Sequence, residues 1–188
     1  MTNRGAIASA LVYLIAVAVI AGFVHSRSGG ASVPALVEEV EVMTWSETKT
    51  ESVPAKPVGT WTWVFDYVQG PALLKIEAEG KWRYSATKEC GPDGDLNSLV
   101  QPGQAVSASA PIGALLVKIG GSTAGKDDGK VHVAGTRAVI SIDANSSGPV
   151  FVTINDELTG FADNSGSLSV TLSVAQLPPP PPRPATGE

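Results

Sequence analysis

Between Pro149 and Val174 the chain alternates apolar and polar residues in two runs separated by a loop of about ten residues, and this pattern sets the fold class. Val150, Val152 and Ile154 alternate with Phe151, Thr153 and Asn155, while Leu168, Val170, Leu172 and Val174 alternate with Ser169, Thr171 and Ser173. A period of two sends successive side chains to opposite faces, so each run reads as a half-buried strand, and the two are expected to face each other as a hairpin. The connection, Asp156 to Ser165, is longer than the roughly two to five residues that close an ordinary hairpin, and long loops are where function concentrates. Asp156, Asp163 and Asn164 gather side-chain oxygens at its mouth, and Gly160 and Gly166 let backbone carbonyls turn inward. An all-oxygen donor set suits Ca2+, which takes about six to eight hard ligands in a flexible shell. The same residues also build Asx turns, so composition alone leaves a purely structural turn as the alternative.

The same short-strand rhythm runs through most of the chain. LVEEVEVMTW (36–45) partly alternates and is expected to be a first strand, and SETKTESVPAKPVGT (46–60) has the charge and Pro content of an exposed loop. In TWTWVFDYV (60–68), Trp61, Trp63, Phe65 and Tyr67 fall on one side, which reads as a core face. LLKIEAEGKWRY turns Leu74, Ile76 and Ala78 inward against Lys75, Glu77 and Glu79, and delivers Tyr84 to a loop rich in Gly, Pro and Asp. Asp93 and Asp95 lie in that loop; without the later glycine and glutamate of an EF-hand, they read as turn residues. GALLVKIGG (113–121) is expected to be a buried strand. KVHVAG and RAVISIDA follow as strands, with Val131, Val133, Val139, Ile140 and Ile142 as core and His132 at the surface. Short strands at such spacing, with no amphipathic helix among them, predict an all-β antiparallel sandwich over 36–175.

Three blocks in order, KWRYSATKECGPDGD (81–95), APIGALLVKIGG (110–121) and NDELTGFADNSGSLSV ahead of Val174, resemble the bacterial calcium-dependent galactophilic lectins, the PA-IL-like family. The resemblance covers about the last two-thirds of the chain, and it implies a small jelly-roll-like β-sandwich with one Ca2+ that itself holds two neighbouring sugar hydroxyls. Carried over by position, it makes Asp156 a carboxylate ligand, Asp163 and Asn164 side-chain oxygen ligands, and Tyr84 and Gly160 backbone-carbonyl ligands. Asp163 stands where a second asparagine is usual and adds a negative charge that favours a divalent ion. Gly160 stands where a threonine hydroxyl is expected to touch the sugar. The family's galactose-selecting histidine and glutamine are expected between Asp95 and Pro111; this chain has no histidine there, and Gln101 or Gln104 are the available stand-ins. Glu157, beside Asp156, is a further ligand-binding candidate.

The remaining features bound the class of function. Ala6 to Val24 form an uncharged apolar run long enough to cross a bilayer as a helix, within an N-terminal segment 1–27. A cleaved signal peptide is the rival, and the length of the run favours a retained single-pass anchor. A flexible linker (28–35) follows, and a Pro-rich tail (176–188) carries five prolines, Pro178 to Pro182, that hold an extended rod. A net charge of −5, with Lys and Arg scattered, argues against nucleic-acid binding. Cys90 is the single cysteine and has no internal partner. Neither histidine adjoins a nucleophile elbow, and no phosphate-cradling loop is present, so an enzyme is not expected. Two roles compete, and the missing or displaced sugar-selecting side chains favour the first: an accessory subunit docked through helix and tail on integral membrane proteins of a larger complex, respiratory or photosynthetic for example, with a tethered glycan-binding lectin as the alternative. A calcium site of extracellular affinity places the sandwich on the periplasmic side of the inner membrane in either case.

Overall fold

The computed structural model describes residues 44–98, 105–123, 129–157 and 159–178. The chain divides into two units, Met1–Val42 and Met43–Glu188, and every described residue belongs to the second. The apolar run 6–24, the linker, most of the predicted first strand and the Pro-rich tail beyond Pro178 lie outside the described residues. Among the described residues, no helix is long and apolar enough to cross a membrane.

Among the described residues, ten strands build two antiparallel sheets. The first contains β1 (Ser46–Pro54), β10 (Ser165–Gln176), β3 (Ala72–Arg83) and β4 (Glu89–Cys90) in that order, with β8 (Arg137–Ile142) also paired to β3. The second contains β2 (Thr62–Gln69), β9 (Ser147–Ile154), β6 (Ile112–Ile119) and β5 (Asp93–Asp95), with β7 (Lys130–Val133) also on β6. The expected all-β antiparallel sandwich is therefore present. Its core lies between the sheets, where Leu74 and Ile76 of β3, Val170 and Leu172 of β10, Leu115 and Val117 of β6 and Val150, Val152 and Ile154 of β9 are all fully buried. Each such side chain contributes about 1.5–3 kcal/mol by leaving water.

Strand β6 is buried on both faces. Its outward residues Ala114 and Leu116 join Trp61, Ala110 and Phe151 in a second, smaller apolar cluster. Lys118 is fully buried there, its ammonium 4.9 Å from the Trp61 ring centre and 5.3 Å from that of Phe151, and it donates to the Ser122 carbonyl. The two aromatic faces and the carbonyl compensate a charge that would otherwise be costly to desolvate.

Four expectations need correction. The runs ending at Ile154 and starting at Ser165 are not a hairpin: β9 pairs with β2 and β6, β10 pairs with β1 and β3, and the loop between them crosses from one sheet to the other. Its length is what that crossing requires. The segment 46–60, expected as a loop, supplies β1, an edge strand whose outward charges and hydroxyls hide its pairing with β10. The aromatic alternation of β2 does not hold, because two register irregularities, between Trp63 and Phe65 and between Phe65 and Val68, turn Val64, Phe65 and Val68 inward. Trp63 and Tyr67 are consequently more than half exposed, and Trp61 packs in the outer cluster. Finally, Val133 and Val139 are exposed while His132 is half-buried, its Nε2 enclosed without a hydrogen-bond partner.

Candidate functional site

The crossing loop starts at the end of β9, where Asn155 continues the ladder by donating its N–H to the Ala114 carbonyl (2.7 Å) and accepting from Gly113 N–H (2.7 Å). The Asn155 side chain is fully buried and organises the neighbouring segment: its Oδ1 accepts from Ser107 N–H at 2.9 Å, and its Nδ2 lies 2.9–3.0 Å from the carbonyls of Ser107, Ala110 and Pro111. Val106 N–H then donates to the Asp156 carbonyl, and Ala105 bridges to Glu157. One buried amide thus fastens residues 105–111, the end of the region expected to select the sugar, against the start of the oxygen-rich loop. Period-two reading assigned Asn155 only to the polar face of a strand; the available signal was a polar residue at a strand end just before the acidic loop.

Asp156 is 5% exposed. Its Oδ1 accepts from the Glu157 N–H at 2.7 Å, and its Oδ2 is enclosed with no partner. Burial raises its pKa first and the nearby Asp163 and Glu157 charges add to this, while the Asn164 amide and the Glu157 N–H oppose it. The chain then tightens into one 3₁₀ turn, Gly160–Ala162, closed by hydrogen bonds from Gly160 N–H to the Glu157 carbonyl (2.8 Å) and from Asp163 N–H to the Gly160 carbonyl (3.3 Å). Gly160 lies directly against the carboxylate: a Cβ there would stand 3.3 Å from Asp156 Oδ1 and 3.4 Å from Oδ2. Lys56 braces the turn from outside by donating to the Ala162 carbonyl at 2.9 Å. Asp163 and Glu157 are exposed at the rim.

On the far side of the loop Asn164 is 5% exposed; its Nδ2 donates to the Ala55 carbonyl at 3.3 Å, and its Oδ1 is buried without a partner. The β10–β3 register pairs Ser165 with Arg83, so the next step outward sets Asn164 opposite Tyr84. Tyr84 is held there by its own contacts. Its hydroxyl donates to Asp95 at 2.5 Å and its N–H to the Lys88 carbonyl at 3.2 Å, while its ring packs against Gly113. Asp95 also accepts from Ser98 and from the Asn97 N–H, and these bonds hold its pKa down at about 2. Asp93 accepts from the N–H and the hydroxyl of Thr136. Both aspartates were expected in a turn, but they begin and end the short strand β5, where pairing with Ala114 and Ile112 of β6 draws them into the ladder. Cys90 is 8% exposed, with its thiol pushed up to about 11 mainly by burial, which makes it an inert packing residue.

The fold therefore gathers Asp156, Gly160, Asp163 and Asn164 in one loop, with Tyr84 opposite Asn164 and Glu157 at the rim. Gln101 lies outside the described residues. Among the described residues no three His, Cys, Asp or Glu side chains form a metal cluster. The donors here are instead two carboxylates, an amide oxygen and backbone carbonyls. Two buried acceptor oxygens facing one loop without a donor is an arrangement that native proteins avoid, because each such atom costs about 1–3 kcal/mol. Carboxylate, amide and carbonyl oxygens are the donors a hard cation takes, so the residues present fit Ca2+.

No curated protein matches the chain. A solved structure described as "EclA N-terminal domain; PllA-like lectin" shares 17% identity at a TM-score of 0.48, over 66% of this chain and 93% of the other. The model of the PA-IL-like protein family matches residues 50–177, from within β1 to just past the end of β10. With more than half of its length matched, the chain belongs to the PA-IL-like family.

Proposed function

We propose that the domain is a non-enzymatic, calcium-dependent glycan-binding lectin. The observation that carries this reading is the pair of orphaned buried oxygens, Asp156 Oδ2 and Asn164 Oδ1, in a chain of the PA-IL-like family. Asp156, Asp163 and Asn164 would hold the ion through side-chain oxygens, Tyr84 and Gly160 through carbonyls. Bound Ca2+ supplies open coordination positions that two adjacent sugar hydroxyls can fill. The chain's own part is to exclude water below the loop and to present Glu157 at the rim.

The docking role rests on the apolar run 6–24 and the Pro-rich tail, and no described residue adds to it. The glycan-binding role is supported by the buried, oxygen-rich loop. We place the domain on the outer side of the cytoplasmic membrane, tethered by the N-terminal run, because a site of ordinary extracellular affinity is filled there and empty in the cytosol. The test is a glycan array probed with full-length protein in a detergent without a sugar headgroup, in Ca2+ and in EGTA. Signals that need Ca2+ and vanish in Asp156→Asn support the reading. An array blank in Ca2+ overturns it, and co-purification with integral membrane proteins in fixed stoichiometry would then favour the docking role.

A further inference from the structure

The outer face of the β10–β3–β8 sheet carries a feature that the ion site does not use. Lys75, Glu77 and Glu79 project from β3 away from the core, between the buried Leu74, Ile76 and Ala78. Ser169 and Thr171 point the same way from β10, which pairs with β3, and Arg137 begins β8 on the other side. Together Glu77, Glu79, Thr136, Arg137, Ser169 and Thr171 line a groove of about 460 Å³, within the range of small-molecule sites.

The chemistry of this groove is specific. Glu77 is gripped by Lys75 at 3.1 Å and by the Arg137 guanidinium, which together hold its carboxyl below the usual range. The pair engages one end of the exposed Arg137 side chain and leaves the rest of its planar donor fork open to other acceptors. Glu79 is exposed and has no ion pair among the described residues, so both its oxygens are available as acceptors. The hydroxyls of Ser169 and Thr171 stand alongside, the latter oriented by Thr50 Oγ1 at 2.9 Å. Two carboxylates face two cations, and Asp93, behind Thr136, is taken up by that residue's N–H and hydroxyl. The groove therefore has no surplus positive charge to attract an acidic ligand, and no large apolar side chain to seat a greasy one. Guanidinium donors, a free carboxylate and hydroxyls match vicinal hydroxyl groups, which both donate and accept.

We propose that this groove is a second, metal-independent saccharide site that takes a neutral, hydroxyl-rich oligosaccharide. Glu79 lies on β3 five residues before Tyr84, which follows the strand's last residue, roughly 17 Å away at ~3.3 Å per residue. The groove and the oxygen-rich loop are thus both carried by β3 and β10. A glycan long enough to touch both gains avidity that neither weak site has alone.

The test is binding of neutral and acidic oligosaccharides on an array to full-length protein, in the same sugar-free detergent and in EGTA throughout. Because no calcium is present, the outcome is independent of the calcium-lectin reading. We expect retained binding of neutral glycans, unchanged in Asp156→Asn and reduced about tenfold or more in Glu79→Ala, which removes a charged hydrogen-bond acceptor. Arg137→Lys, which keeps the charge and loses the fork, lowers it as well. Matching thermal melts for wild type and variants establish that these losses are not unfolding. Absence of binding in EGTA, binding confined to acidic glycans, or full binding by Glu79→Ala each overturns the proposal. So does a dimer that Glu79→Arg dissolves, since the groove would then be occupied by a second copy of the chain.

Discussion

Asp156 offers the sharpest perturbation. In the ion-free protein its Oδ2 and the Oδ1 of Asn164 are buried acceptors without donors, at about 1–3 kcal/mol each. Calcium at one hundred times its dissociation constant stabilises the folded state by about 2.7 kcal/mol. For a domain of roughly 130 residues, 1 kcal/mol shifts the melting temperature by about 3–5 °C, so saturating Ca2+ is expected to raise it by about 10 °C over EGTA. Asp156→Asn keeps an oxygen for the Glu157 N–H and removes the charge that burial penalises. The variant in EGTA should melt at or above the wild type in EGTA and gain nothing from Ca2+. The pH dependence has a definite sign. Burial raises the folded pKa of Asp156 above its ordinary 3.8, so the ion-free protein gains stability as pH falls through the raised value towards 3.8, and loses that contribution as pH rises through it. Ca2+ opposes this gain because it needs the carboxylate. Thermal melts followed by circular dichroism, with and without Ca2+ at pH 5 and 7.5, measure all of it. Identical wild-type melts in Ca2+ and EGTA, or an Asp156→Asn variant that keeps the full shift, would refute the reasoning.

Three further outcomes are expected. Gly113→Ala places a methyl 2.4 Å from Cys90 Sγ and 3.1 Å from the Tyr84 ring on a backbone of φ +77°, so it should cost about 2 kcal/mol or more and weaken Ca2+ binding by displacing Tyr84; equal stability and affinity to wild type would contradict the packing described. Ile76→Ala, at a fully buried position paired with Leu172, should cost about 2–5 kcal/mol in chemical denaturation at an unchanged m-value. His132 titrates below its ordinary 6.5, first because it is part-buried and then because Lys130 is near; Asp143, Ser141 and Ser146 complete its surroundings. A depressed folded pKa in a base means that the unfolded state takes up the proton first, so stability falls as pH drops from about 6.5 towards the folded value. The slope stays below about 1.4 kcal/mol per pH unit and is softened by solvent, and His132→Gln should flatten it.

Much of the architecture was legible because core strands obey one rule. In β3, β6, β9 and β10 the inward positions are apolar at period two, and a one-residue slip would turn every one of them into water. Where that rule is relaxed, reading failed. Edge strand β1 buries few side chains and pairs through a backbone that sequence does not display. In β2 two irregularities reverse the alternation, and nothing in the identities of Trp63 or Tyr67 marks them. The acidic loop was recognisable from its oxygens and its length, but its route between sheets was not, since strand partners are decided by the whole sandwich. Asn155 was invisible for the same reason: its role is fixed by Ser107, Ala110 and Pro111, more than forty residues away in the chain.

That route has a consequence for transplantation. Asp156 and Gly160 continue from β9 in one sheet, while Asn164, Ala55 and Tyr84 adjoin the ends of β10, β1 and β3 in the other. An excised peptide spanning the loop, or the same loop grafted onto a two-stranded scaffold, would keep every oxygen and lose their convergence. Whatever binds here is gripped by the joint between two sheets, so occupancy of the loop serves as a gauge of whether the sandwich is closed.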